Sequence, residues 1–160
     1  MPKARRLTHA DAEGRVRMVD VGAKPVTVRE AVASGHVTMS AEARRAIAGG
    51  RVKKGDPLQA ARLAGIMGAK RTADLVPLCH PLMLTGIDLE VELTRTGVGI
   101  VARVRTAGQT GVEMEALAAV ACSALTVYDM LKAVDKAMTI GPIQLEEKQG
   151  GRSGHYRRRP

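Results

Sequence analysis

Aromatic side chains are almost missing from this sequence: it has no Phe and no Trp, and its only phenol rings are Tyr128 and Tyr156. The core must therefore be built from Ala, Val, Leu, Ile and Met, and stacking on nucleic-acid bases is nearly excluded. Cysteine is just as scarce. Cys79 and Cys122 cannot form a disulfide framework, and the composition reads as that of an intracellular, cytoplasmic protein. Two well-separated cysteines also cannot supply a zinc site of the usual ligand spacing, so no metal is expected. The start, MPKARRLTHADAEG, contains no apolar run and reads as lacking a secretory signal. The longest charge-free stretch is too short to span a bilayer, and there is no internal repeat.

Positive charge is what the chain has in excess. Lys and Arg number 25 against 16 Asp and Glu, giving a formal charge of +9 and a pI near 10.2. Nucleic acid is one partner for such a balance, but without aromatic platforms an anionic small molecule explains it equally well. The 160 residues read as one domain, long enough to bury roughly two thirds of the unfolded surface. Residues 1–14 read as a loose arm and residues 150–160 as a mobile basic tail.

Periodicity sets out the elements between them. Arg15 to Val21 alternates like a short strand, which Gly22, Lys24 and Pro25 break. Thr27 to Ala33 reads as a short helix or an extended arm ending at Ser34-Gly35. Ser40 caps a helix through Ala48, stopped by Gly49-Gly50, and Asp56-Pro57 opens another that runs to about Lys70. Ile87, Leu89, Val91 and Leu93 alternate with acids, and Val98, Ile100, Ala102 and Val104 answer with Arg103 and Arg105 on the opposite face. The two runs predict an antiparallel hairpin through Thr94–Gly97 with Glu/Arg cross-strand pairs. Met138, Ile140, Ile143 and Leu145 give a last strand, which Pro142 confines to an edge or a bulge. The order strand, helices, strand, strand, helix, strand predicts an α+β, ferredoxin-like split βαβ fold: an antiparallel sheet with helices on one face.

The longest helix, Thr110 to Lys136, carries the chemistry at its ends. Thr110 and Glu113 have the spacing of a capping box, and no charge occurs from Ala116 to Tyr128, so the middle is expected to be buried on every side. Glu113 and Glu115 suit a helix start, whereas Asp129 lies in the last turns, where the dipole opposes it. Lys132, three residues on, supplies a counter-charge; a structural ion pair and a working acid/base pair fit this spacing equally well. The segment Val76-Pro77-Leu78-Cys79-His80-Pro81 is stiffened by its prolines, as suits either a binding wall or a structural loop. Lys53 and Lys54 precede a helix N-terminus, where phosphate can be held or where a basic turn can simply be solvated.

Several of these motifs, in one order, resemble the MoaC family of molybdenum cofactor biosynthesis. They are Lys54-Gly55-Asp56, Ala69 to Leu75, Pro77-Leu78-Cys79-His80-Pro81-Leu82, Gly111 to Leu117, Tyr128-Asp129-Met130, Lys132-Ala133-Val134 and Ile140-Gly141-Pro142. The likeness runs from Leu7-Thr8-His9 to about Gly154. It implies a lyase that converts 3′,8-cyclo-7,8-dihydro-GTP into cyclic pyranopterin monophosphate with release of pyrophosphate. It also implies a hexamer built as a trimer of dimers, with active sites at dimer interfaces, no cofactor, no nucleic acid and no membrane. Carried over by motif, Asp129 is the catalytic acid/base, Lys132 its partner and Lys54 a further proton-transfer or charge-stabilising group. Leu78, Cys79 and His80 form one wall of the substrate pocket, and Met114 and Glu115 another, with Glu113 already employed by the capping box. Lys70 and Lys148, and more weakly Lys24, match phosphate-binding positions; Arg152 stands where the pattern has Lys. Clustered cations are expected to lower one another's pKa and free one lysine to act as a base. A small basic RNA-binding domain of the same fold is the alternative that accounts for the charge.

Overall fold

The computed structural model describes residues 14–159. The arm read over residues 1–14, with the Leu7-Thr8-His9 end of the resemblance, lies outside them except for Gly14. The first element is β1, Thr27–Thr38, followed by α1 (Ala41–Ala48), α2 (Pro57–Lys70) and the single turn α3 (Thr72–Leu75). The hairpin β2 (Leu84–Leu93) and β3 (Gly97–Gly108) comes next, then α4 (Glu113–Leu131), β4 (Thr139–Gln149) and β5 (Tyr156–Arg157). The strands form one antiparallel sheet in the order β2-β3-β1-β4-β5, and the first four reproduce the split βαβ arrangement.

One face of the sheet is apolar and covered by α2 and α4. Ala31, Ala33 and Val37 of β1, Val98, Ile100, Ala102 and Val104 of β3, and Ala116, Ala119, Val120, Ala124 and Val127 of α4 make a continuous core. The other face is polar, with Arg103 bonded to Glu30 at 2.6 Å and Arg105 to Asp88. The hairpin register is antiparallel as read, but Glu90 and Glu92 lie opposite Val101 and Gly99, so the arginines pair with Glu30 and Asp88 instead.

Two helices start as their caps dictate. Ser40 Oγ accepts from Ala43 N, and the Asp56 carboxylate accepts from Leu58 and Gln59 N. Elsewhere tertiary packing overrides local reading. Ser34-Gly35 does not stop β1, which runs on to Thr38 as a central strand. A Cβ on Gly35 would lie 2.4 Å from Val120 Cγ1, so this glycine marks the place where α4 comes down on the sheet. Arg15 to Val21 is not a strand. Only Val16 makes an isolated bridge, and the segment is an extended strap without a continuous partner strand. The basic tail folds back: β5 pairs with the end of β4, and Arg158 N and Nε donate to Glu146 O and Leu145 O. Pro142 sits after a cis peptide bond beside a register shift in β4, as a proline in a paired strand requires.

For α4, the capping box is not made. Val112 takes the N-cap position, no side chain caps it, and the helix ends at Leu131 rather than Lys136. Nor is its charge-free middle buried all round: Leu125 is 61% exposed, and Ala118, Ala121 and Cys122 are only half-buried. Its inner side is packed tightly, because Ser123 Oγ bonds Ala61 O at 2.9 Å and Gly65 lies against Ala119 and Ser123. A Cβ on Gly65 would sit 2.9 Å from Ala119 O, a backbone atom that cannot swing away. Gly65→Ala is therefore expected to lower stability by about 1–3 kcal/mol in urea unfolding, despite a helix-propensity gain of about 1 kcal/mol. An unchanged or raised midpoint would show that the two helices can separate at no cost.

Candidate active site

Two clusters of candidate residues occupy opposite ends of α4. At its N-terminus a cavity of about 550 Å³ is walled by Leu78, Cys79 and His80 from the loop before β2 and by Glu113, Met114 and Glu115 from the first helical turn. Val19, Val21 and Lys24 of the strap close another side. Lys24, Thr110, Gly111 and Glu113 also border a larger cavity, of about 1020 Å³, whose walls carry Arg29, Lys148, Gly150, Gly151 and Arg152. A small recess of about 120 Å³ shares His80, Leu82 and Glu115 with the first and adds Lys70, Arg71 and Asp74. The residues read as substrate walls and phosphate sites are thus neighbours around hollows that share lining residues.

The proton states here follow from burial. Glu115 is 3% exposed, and its Oε2 has no hydrogen-bond partner. Burial, with a smaller push from Glu113 and against a bond from its own backbone amide, raises its carboxyl from 4.5 to about 7. Burial also raises the Cys79 thiol, and Glu115 and Glu113 add to the effect, so this cysteine is no activated nucleophile. The His80 imidazole Nε2 lies 2.8 Å from Val19 O; since a carbonyl can only accept, Nε2 carries a proton. Among the described residues no group of three or more His, Cys, Asp or Glu is arranged to hold a metal ion.

At the C-terminal end Asp129 sits between two ammonium groups. Lys132 Nζ is 2.7 Å from Oδ1, Lys54 Nζ is 2.7 Å from Oδ2, and Lys54 also donates to the Asp129 carbonyl at 3.0 Å. All three side chains are about half exposed. Bonds from Lys132 and then Lys54 hold the Asp129 carboxyl down at about 2, so it is a carboxylate at any pH near neutral. The expectation that neighbouring cations free a lysine as base is reversed for Lys132: its bond to Asp129 raises its pKa, because a carboxylate lies between the two ammonium groups.

Asp129, Lys132 and Lys54 do not reach the cavity at the other end. Glu115 and Asp129 are fourteen residues apart, or about 21 Å along the helix axis. Arg29 and Gln109, which border the larger cavity, carry no mark in the sequence. Both are made site neighbours only by the β1–β3 pairing and the turn into α4.

A family model described as the MoaC family matches residues 18–151. The chain is 55% identical over 156 residues to the cyclic pyranopterin monophosphate synthase of Parvibaculum lavamentivorans, covering 96% of this chain and 98% of that protein. It is 57% identical over 155 residues to that of Pelotomaculum thermopropionicum (96% and 91% covered) and 59% identical over 152 residues to that of Dinoroseobacter shibae (94% and 96% covered).

The Glu115 geometry has a measurable consequence. With a folded pKa near 7 against 4.5 for an ordinary glutamate, the folded chain binds more protons than the unfolded chain between these values. Stability from the protonated group is then complete below pH 4.5 and is lost as pH rises towards 7. Glu115→Gln should flatten that part of a stability–pH curve measured by urea unfolding; an unchanged slope would mean that Glu115 ionises like an exposed glutamate.

Proposed function

The chain belongs to the MoaC family, and on that premise we propose that it acts as a cyclic pyranopterin monophosphate synthase. The reaction is conversion of 3′,8-cyclo-7,8-dihydro-GTP to cyclic pyranopterin monophosphate and pyrophosphate, a lyase step of molybdenum cofactor biosynthesis. The observation that carries this reading is identity of 55–59% over nearly the whole chain to proteins bearing that activity in their names.

The chemistry the site offers fits the reaction. Closing a cyclic phosphate needs an activated ribose oxygen and stabilisation of the departing pyrophosphate. Lys24, Lys70 and Arg152 have no carboxylate partner among the described residues, and Lys148 donates only to the Ser153 hydroxyl. These cations are therefore available to a triphosphate. Rearranging the purine-derived ring needs repeated proton transfers near neutral pH. Glu115, with a carboxyl near 7 on the cavity wall, is matched to give and take protons there, and His80 can turn its Nε2–H from Val19 to substrate. Asp129 aims Lys132 and Lys54, so that these lysines donate protons or neutralise developing charge.

The site is completed by a second copy. Groups that move protons or stabilise charge act within about 3 Å of the reacting atoms, which the two ends of one straight helix cannot both satisfy. The exposed apolar stripe of α4 consists of Met114 and Leu125, beside Ala118 and Cys122, which are partly buried against Gly68 of α2, and Leu63 and Met67 of α2 are exposed as well. In length and composition α4 would pass for a membrane span, yet 44% of it is buried against its own chain. A second α4 crossing antiparallel about a twofold axis covers the stripe and brings Asp129, Lys132 and Lys54 of one copy to the cavity of the other. We read the assembly as a cytoplasmic hexamer, a trimer of such dimers, working without a cofactor.

Incubation with 3′,8-cyclo-7,8-dihydro-GTP is expected to yield the cyclic pterin and pyrophosphate, and Asp129→Asn or Lys132→Ala to cut the rate by about 100-fold or more with the fold retained. No turnover by the wild-type chain, together with steeply salt-dependent binding to generic RNA, would favour the RNA-binding alternative. Mixing inactive Glu115→Ala and Asp129→Ala proteins after dissociation and reassociation should restore part of the activity. No recovery despite demonstrated subunit exchange would sink the shared site.

A further inference from the structure

The strap from Val19 to Lys24 walls both main cavities without belonging to the sheet. Its internal bonds, Gly22 N to Asp20 Oδ1 at 2.8 Å and Lys24 N to Val21 O at 2.9 Å, curl it on itself but tie it to nothing else. Two side chains of the body hold it. His80 takes the Val19 carbonyl at one end, and the Gln109 carboxamide takes the other, with Nε2 at 2.9 Å from Gly22 O and 3.0 Å from Lys24 O. Both partners of Gln109 are carbonyls, which can only accept, so its nitrogen must face them and spend one hydrogen on each. Gln109 is itself anchored. Arg29, from the neighbouring strand β1, donates through Nε to Gly108 O at 3.0 Å and through Nη2 to Gln109 O at 3.2 Å, which fixes the backbone where β3 ends.

Lys24 depends on this chain of bonds. Its ammonium has no bonding partner among the described residues, so the position of its backbone sets the region its flexible stem can reach in the cavities it borders. We propose that Gln109 is a positioning residue: by clamping the carbonyls of Gly22 and Lys24 it holds the Lys24 ammonium at the junction of the two cavities, where it meets the phosphates of an anionic nucleotide-derived substrate. The assignment of substrate rests on the proposed function; the clamp does not. Gln109→Glu keeps the shape and removes both donors, setting a carboxylate against two carbonyl oxygens.

The test is a double-mutant cycle on steady-state kinetics with 3′,8-cyclo-7,8-dihydro-GTP, alongside amide hydrogen exchange on the intact proteins. Gln109→Glu should raise KM by roughly tenfold with kcat within about twofold, the pattern of lost uniform binding. In a Lys24→Ala background the same substitution should change KM by less than about twofold, because its effect passes through Lys24. Exchange should accelerate in residues 19–24 and stay unchanged in β3 and α4. An equal KM penalty in both backgrounds would overturn the proposal by making Gln109 a direct ligand, and a fall in kcat with accelerated exchange throughout would reduce it to a structural residue. Unchanged exchange in residues 19–24 would overturn the clamp itself. Should the wild-type chain not turn over this substrate, the proposed function falls, and the exchange comparison still decides the clamp.

Discussion

Everything in this molecule depends on how closely α4 can approach its neighbours. Gly35 on the sheet and Gly65 and Gly68 on α2 lie where a Cβ would come within 2.4, 2.3 and 2.6 Å of atoms of α4. These contacts lock a rod of 19 residues, about 28 Å long, against both the sheet and α2. Once its middle is fixed its ends are fixed too, and each end carries a charged cluster. The small residues are thus the reason that Glu115 and Asp129 have definite places at all, although none of them touches a reacting atom.

The two acids on that rod meet opposite fates from the same physics. Glu115 points inward, loses its hydration and keeps its proton to about pH 7. Asp129 points outward between Lys132 and Lys54 and is held at about 2. One is suited to exchanging protons near neutrality, and the other is a fixed negative charge that aims two ammonium groups. Between them Leu125 is exposed on the outer side, whereas Ala118 and Cys122 are partly buried against Gly68 of α2.

Around the cavity, order comes from side-chain bonds more than from secondary structure. The strap bearing Val19, Val21 and Lys24 is held by His80 and Gln109, and Arg29 steadies Gln109. A wall fastened by a few polar contacts can yield to a ligand that competes for one of them, and His80 is such a contact.

Much of this was legible in the residues themselves. Ser40 and Asp56 announced their helices because capping is local chemistry, and the β2–β3 hairpin followed from period-two alternation, which records a sheet with one wet face. The wall residues Leu78, Cys79 and His80 and the pair Met114 and Glu115 were found by motif, and they line one cavity. Other features were not in the sequence to be read. Ser34-Gly35 looks like a stop until Val120 is seen above it, and Thr110 and Glu113 have the spacing of a cap that Val112 takes instead. Alternation in Arg15–Val21 resembles a strand, but a strand needs a partner, and here only Val16 makes an isolated bridge. Residue type announced that Asp129 and Lys132 would pair, since three residues on a helix bring them together. That Lys54 joins them, that Glu115 holds a proton, and that Gln109 and Arg29 brace the strap depend on contacts between residues 75 to 87 positions apart or on burial in the assembled core. Local chemistry is written along the chain, whereas long-range proximity and desolvation exist only after the chain has folded.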